Sequence, residues 1–216
     1  MNVRRSMPSL NALLAAHARL LVLDAASSRV QIGWLDRGQP ARWFASEAEA
    51  GVAVFEGVKS LGRSPEEADA LVFCEGPGSV LGVRTTAMAI RTWTTLRPRP
   101  VFTFQSLAVV AHVLRRPELT LIADARRDTW HAMKLGGTLQ RIPTAELGGV
   151  LAMPEYFRNW TALPRGVERV PYSLEDCFPR VADDNLFRAT DAPDAFLHEE
   201  PSYVTWTPQI HRAPSS

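Results

Sequence analysis

Residues 21–35, LVLDAASSRVQIGWL, and residues 121–135, LIADARRDTWHAMKL, read alike. Each begins as an apolar run that ends in an aspartate. A short polar turn with an arginine follows, and then a second run carrying a tryptophan. Compact apolar runs bounded by turn residues read as strands, and two of them joined by a short turn read as an antiparallel hairpin. Asp24 and Asp124 fall at matching places in the two copies. A lone aspartate after a strand is ordinarily turn chemistry. A matched pair that opens two halves keeps a second role open, and it constrains the chain to a duplicated architecture.

The first half fills in the pattern. Leu20–Asp24, Val30–Leu35 and Ala41–Ser46 form a meander, broken by AASS and by Asp36-Arg37-Gly38. Between Ala48 and Leu61, the apolar residues Val52, Phe55, Val58 and Leu61 recur at helical spacing. Ser64-Pro65-Glu66-Glu67 reads as a cap with proline at the first helical position. Leu71–Cys74 is a fourth strand, Val80–Leu96 a long helix and Val101–Phe104 a fifth strand, and Ser106 opens a helix through Leu114. The order β-β-β-α-β-α-β-α pairs its early strands antiparallel and its late ones parallel. That is the order of a ribonuclease-H-like lobe. The fold expected is α/β and two-lobed, actin/Hsp70-like, with the second lobe reduced. In active members of the actin, hexokinase and Hsp70 class, the paired carboxylates organise metal and phosphate between the lobes. Asp24 and Asp124 are candidates for vestigial counterparts of those phosphate and metal positions.

After one hairpin, the second half turns to prolines, acidic residues and short runs. Leu147–Met153, with Gly148-Gly149, reads as loop. The expected division is an N-terminal extension (1–19), a ribonuclease-H-like lobe (20–115), a second, degenerate lobe (116–200), and a C-terminal strand and tail (201–216). Arg4 and Arg5 before an apolar stretch mimic a secretory signal, but Asn11, His17 and Arg19 interrupt it. Leu10, Leu13, Leu14 and His17 fit one helical face, so this segment reads as an amphipathic extension.

Composition serves mainly to exclude. A net charge of +1 over 216 residues, with arginines scattered along the chain, gives no steering toward nucleic acid. Cys74 and Cys177 cannot make a disulfide framework, and no apolar run approaches the roughly 18 residues of a membrane span. A cytoplasmic protein without membrane contact is expected. His17, His112, His131, His198 and His211 are never one helical turn apart, so no histidine pair presents itself as a metal site. No nucleophile, base and orienter form a recognisable set.

The stretch 71-LVFCEGPGSVLGVRTTAMAIRTW-93 places glycines between a strand and a helix, where many enzymes cradle phosphate. Gly76, Gly78 and Gly82 are spaced first, third and seventh, whereas a dinucleotide loop needs first, third and sixth. A Walker loop needs a Gly-Lys-Ser/Thr that is missing. The residue chemistry therefore gives a tight turn, with Ser79 capping the helix. The helix carries Val80, Val83, Ala87 and Ile90 on one face, while Leu81, Met88 and Thr92 point elsewhere.

The run Gly76-Pro77-Gly78-Ser79-Val80-Leu81-Gly82-Val83-Arg84-Thr85-Thr86 resembles the TsaB (YeaZ) family motif Gly-Pro-Gly-Ser-Phe-Thr-Gly-Leu/Val-Arg-Ile-Gly. LLVLDAASS, FQSLAVVAH, ADARRDTWHA and PSYVTW resemble further family segments, in family order. Val80 and Leu81 depart from the motif. The first helix begins SEAEAGVAVF, without the family's histidine, and residues 137–195 carry little likeness. The resemblance implies a non-catalytic scaffold or activating subunit for threonylcarbamoylation of adenosine 37 in tRNA. Such a subunit dimerises with a TsaD-like catalytic partner, and a TsaE-like ATPase joins them. The resemblance also implies no cofactor of its own, with ATP or ADP at the partner boundary and tRNA engaged through the complex. The implied interface is Gly76, Pro77, Gly78, Ser79, Gly82, Val83, Arg84 and Met88. An independent two-lobed ATPase or phosphotransferase using Asp24 and Asp124, and a homodimeric structural protein, stay open as alternatives.

Overall fold

The computed structural model describes residues 7–195. The expected C-terminal strand and tail, with PSYVTW, His198 and His211, lie outside the described residues. The first leg of the opening hairpin, β1 (Arg19–Asp24), is buried along its length after Arg19. It pairs antiparallel with β2 (Val30–Asp36), which pairs with β3 (Arg42–Ser46). On its other side β1 pairs parallel with β4 (Ala70–Gly76), and β4 with β5 (Val101–Gln105). The helices are α1 (Leu10–Ala16), α2 (Ala50–Ser60), α3 (Val80–Leu96), α4 (Ser106–Leu114) and α5 (Leu174–Arg180).

The second copy of the hairpin forms β6 (Leu119–Asp124) and β7 (Thr129–Met133), followed by β8 (Gln140–Pro143), β9 (Val150–Pro154) and β10 (Glu168–Val170). The sheet order β10-β9-β6-β7-β8 repeats, strand for strand, the order β5-β4-β1-β2-β3 of the first sheet. The duplication expected from the sequence is therefore complete in the sheets. What the second lobe lacks is helices. A single 3₁₀ turn, Thr144–Glu146, joins β8 to β9, and the loop 155–167 carries the parallel crossover from β9 to β10. The apolar stretch Leu147–Met153, expected as loop, contributes β9. Its run of apolar residues is the pattern of a strand buried between two parallel neighbours, β6 and β10.

The domain boundary also needs correcting. Residues 116–200 do not all belong to the second lobe, because the chain returns to the first after β10. Helix α5 packs on α4, and β11 (Arg188–Ala189) adds antiparallel to β5. The Phe178 ring sits edge-on to Phe104 and Trp43. Trp43 lies over Gly33, while Gly57 of α2 lies on Ile32 and Phe44. Gly33–Trp43 and Ile32–Phe44 are successive cross-strand pairs and so point to opposite faces. Helix α2, with α3 beside it, thus covers one face of the first sheet, and α5 covers the other.

Candidate functional site

Asp124 lines the cleft between the lobes, Asp24 is fully buried behind the β1–β2 turn, and both are already committed. Asp24 is fully buried; its Oδ1 accepts from the Ala26 N–H at 2.8 Å, and its Oδ2 from the Tyr172 hydroxyl at 2.6 Å. Tyr172 lies just past β10, so this bond ties the end of the second lobe into the first hairpin. Burial raises the Asp24 carboxyl above the usual range, against the pull of these donors. Burial, with the Asp24 charge beside it, also holds the Tyr172 hydroxyl and the Cys74 thiol well above their ordinary values.

Asp124 repeats the turn chemistry and adds to it. Its Oδ1 accepts from Arg126 N–H at 2.6 Å, and its Oδ2 accepts from Trp160 and Thr161 N–H, both at 2.7 Å. The carboxylate fastens the loop after β9 to the end of β6, within the second lobe. A cleft of ≈ 450 Å³ remains between the hairpin turns, bounded by Ser27, Ser28, Glu49, Ser79, Asp124 and Trp160. Among the described residues, no three His, Cys, Asp or Glu side chains converge where they could hold a metal ion.

The glycine motif is explained by backbone proximity. A Cβ on Gly78 would lie 2.1 Å from the Ala26 carbonyl oxygen, and a Cβ on Gly82 would lie 2.1 Å from that of Ala25. Ser79 N–H donates to the Ala26 carbonyl at 2.7 Å, and the Ser79 hydroxyl caps α3 by accepting from Gly82 N–H. Ser106 Oγ donates to the Pro77 carbonyl. The turn that could have cradled a phosphate instead seats the N-terminus of α3 on the β1–β2 turn. Of the interface residues implied by the resemblance, Gly76, Pro77, Gly82 and Val83 are buried inside the lobe. Gly78 and Ser79 are half-buried, and Arg84 and Met88 are exposed.

What α3 offers outward is apolar. Leu81 is 78% exposed and Met88 58%. Val80, expected in the buried stripe, also faces out; the buried face runs through Gly82, Val83, Thr86, Ala87, Ala89 and Ile90. Helix α2 adds to the same surface. Its buried residues are Ala53, Val54, Gly57 and Val58, so Val52 and Phe55, which share the helical spacing of Val58, lie outside the buried face. Phe55 is 52% exposed and stands edge-on to Trp93 with centroids 6.3 Å apart. Phe55, Leu81, Met88 and Trp93 line one groove between the two helices, flanked by Arg84. Asp194 bridges Arg84 and Arg91 at the far side of α3. Sequence reasoning found Met88 and Leu81 but missed Phe55. The signal was present, because the small residues Ala53 and Gly57 mark the side of α2 that meets the sheet.

The comparisons with known proteins follow this geometry. A family described as "TsaD: tRNA N6-adenosine threonylcarbamoyltransferase" matches residues 47–150, the span from the start of α2 to the start of β9. YeaZ from Pseudomonas aeruginosa is similar in structure, with a TM-score of 0.53 and 21% identity over 69% of this chain and 86% of that one. The chain has the fold of YeaZ. An uncharacterised protein with similarity to peptidase YeaZ, also from Pseudomonas aeruginosa, superposes with a TM-score of 0.55 at 20% identity, over 76% of this chain and 89% of that chain. No curated protein matches the chain in sequence. The resemblance carried by the glycine motif and the fold of the described residues thus point the same way. No helix among the described residues is long and apolar enough to cross a membrane.

Proposed function

We propose that this chain is a TsaB-like, non-catalytic subunit of the machinery that places threonylcarbamoyl on adenosine 37 of tRNA, and that it acts by pairing with a TsaD-like catalytic subunit through the α2–α3 face. The observation that carries the reading is that face. Phe55, Leu81 and Met88 are large apolar side chains on two adjacent helices, all more than half exposed, around one groove. A contiguous apolar surface of that kind is a liability on a free monomer and is ordinary on one partner of a complex. The interlobe cleft supports the same division of labour. Asp24 and Asp124 spend their oxygens on Tyr172 and on backbone N–H groups, which leaves Asp24 as a fastener between the lobes and Asp124 as one within the second lobe. A TsaE-like ATPase and tRNA join through the pair, and ATP or ADP sits at the subunit boundary.

Calorimetry against the TsaD-like subunit from the same source tests this reading. Met88→Glu places an unpaired charge in the middle of the face and should weaken association by about 3–5 kcal/mol if the site is buried in the complex. The free chain should melt near the wild-type temperature, because Met88 faces water there. Undiminished association of the variant removes the proposed face.

A further inference from the structure

Eight of the nineteen arginines among the described residues are neutralised by a carboxylate. Arg19 meets Asp69, Arg63 meets Glu67, Arg115 meets Asp184, Arg116 meets Glu118 and Glu168, and Arg188 meets Glu75. A second group is not. Arg29, Arg126, Arg127, Arg158 and Arg169 have no carboxylate within 4 Å among the described residues. The sequence scatters these five; the fold sets Arg158 in the interlobe cleft and brings Arg29, Arg126 and Arg169 against the same loop after β9, with Arg127 next to Arg126 in the β6–β7 turn. Arg29 lies over the Tyr156 ring at 5.1 Å and reaches its hydroxyl. Arg126 lies over the Trp160 ring at 4.4 Å. Arg158 lines the cleft beside Trp160, and Arg169 reaches Asn159.

Two features show that this rim is held in place. Trp160 is 57% exposed, yet its backbone N–H and that of Thr161 are fixed to Asp124. A large aromatic ring is therefore presented to water on an anchored loop. Opposite it, Arg126, Arg127 and Asp128 all have positive φ, at 63°, 51° and 57°. Left-handed backbone at successive non-glycine residues is unfavourable and persists only where the surroundings impose it. The turn so shaped carries Arg126 over Trp160, and it leaves both arginine side chains exposed. The carboxylates of these two loops do not cancel them: Asp124 is buried in its backbone bonds, Asp128 accepts from Thr144, and Glu155 pairs with no guanidinium among the described residues. Glu47 and Glu49 stand on the opposite wall, in the first lobe.

We propose that this rim is a contact surface for RNA with unpaired bases. The guanidinium groups would take backbone phosphates, and the Trp160 ring would take a base. Unpaired guanidinium charge alone would serve any polyanion. Aromatic rings interleaved with arginine are the combination that recognises single-stranded and loop nucleotides, whose bases are free to stack. The choice of RNA as the anionic partner rests on the role proposed above, whereas the rim itself rests on geometry alone. The arginines and Trp160 lie on the β1–β2 turn and on the second lobe, across the cleft from α2 and α3, and the cleft meets the α2–α3 groove at Leu81 and Thr85, which line both.

The test is fluorescence anisotropy of the full-length chain with a labelled RNA hairpin carrying a seven-nucleotide loop, and with a blunt RNA duplex of the same stem. Wild type should bind the hairpin more tightly than the duplex, with affinity falling as salt rises. Trp160→Ala should lose about tenfold on the hairpin and little on the duplex, which is what one stacked base contributes. Arg126→Ala with Arg158→Ala should weaken both, and should flatten the salt dependence by a slope of about 1.4, roughly 0.7 for each lost phosphate contact. Both variants change exposed side chains, so an unchanged melting temperature confirms their folds. Equal affinity of wild type for hairpin and duplex, wild-type affinity in both variants, or no binding at low salt would each overturn the proposal. No partner protein enters the assay, so its outcome is independent of whether the α2–α3 face binds a TsaD-like subunit.

Discussion

Replacing Gly82 by alanine should destabilise the chain, although it exchanges a poor helix former for the best one. In an open helical site the exchange would stabilise by about 1 kcal/mol. Here the new methyl would stand 2.1 Å from the Ala25 carbonyl oxygen, and contacts below 3.0 Å are not sustained. The start of α3 and the β1–β2 turn must therefore separate by roughly 1 Å to remove the overlap. Neither side yields easily. The turn is held by the bond from Ala26 N–H to Asp24, and α3 is held to the turn by the bond from Ser79 N–H to the Ala26 carbonyl. Overpacking of backbone against backbone costs about 3 kcal/mol at the upper end of its range. Less the helix gain, the net loss is about 2 kcal/mol, or about 4–8 °C in Tm for a chain of this size. Gly51→Ala in α2 is the control, since nothing lies within 4 Å of its added methyl and its Tm should hold or rise. Thermal unfolding of both variants beside wild type decides the matter. A Gly82→Ala protein as stable as wild type would refute the view that this glycine exists to let two backbones touch.

Other outcomes follow from the hydrogen bonds of the two aspartates. Tyr172→Phe deletes the hydroxyl that donates to Asp24 and leaves a buried carboxylate short of a partner; urea unfolding should show a loss of about 1.5–3 kcal/mol. Because burial raises the Asp24 carboxyl, the folded chain binds its proton more tightly than the unfolded chain, whose value is about 3.9. Stability contributed by this site therefore declines as pH rises through the interval between the two values, and Asp24→Asn should gain on wild type across it in urea midpoints. Asp124→Ala removes the acceptor for Trp160 and Thr161, so those amides should exchange faster while the sheets stay protected. The isolated wild-type chain should show no appreciable ATP turnover, and a robust turnover abolished in Asp24→Ala or Asp124→Ala would restore the phosphotransferase alternative.

How much was legible in the sequence depended on how local the determinant was. The duplicated hairpin, the strand order of the first lobe and the cap at Ser79 were readable, because apolar periodicity and turn chemistry act over a few residues. Strand β9 was misread because Gly148-Gly149 looked like loop, and only its seat between β6 and β10 shows why the run is apolar. The return of α5 and β11 to the first lobe depends on where Phe178 meets Phe104 and Trp43, which no local pattern encodes. Asp24 and Asp124 were found by position, but their roles were set by Tyr172 and by the N–H groups of Trp160 and Thr161, dozens of residues away in sequence. The outward turn of Phe55 and Val52 was hidden because a helical stripe of apolar residues reads as core unless the smaller residues beside it are weighed.

The central claim is that α2 and α3 together are covered by a partner. Hydrogen exchange of the chain, alone and with a TsaD-like subunit, measures this directly. The account predicts added protection in residues 50–60 and 80–96, with the hairpins around Asp24 and Asp124 exchanging as in the free chain. A complex that protects the cleft and leaves α2 and α3 unchanged, or no complex at all, would contradict it.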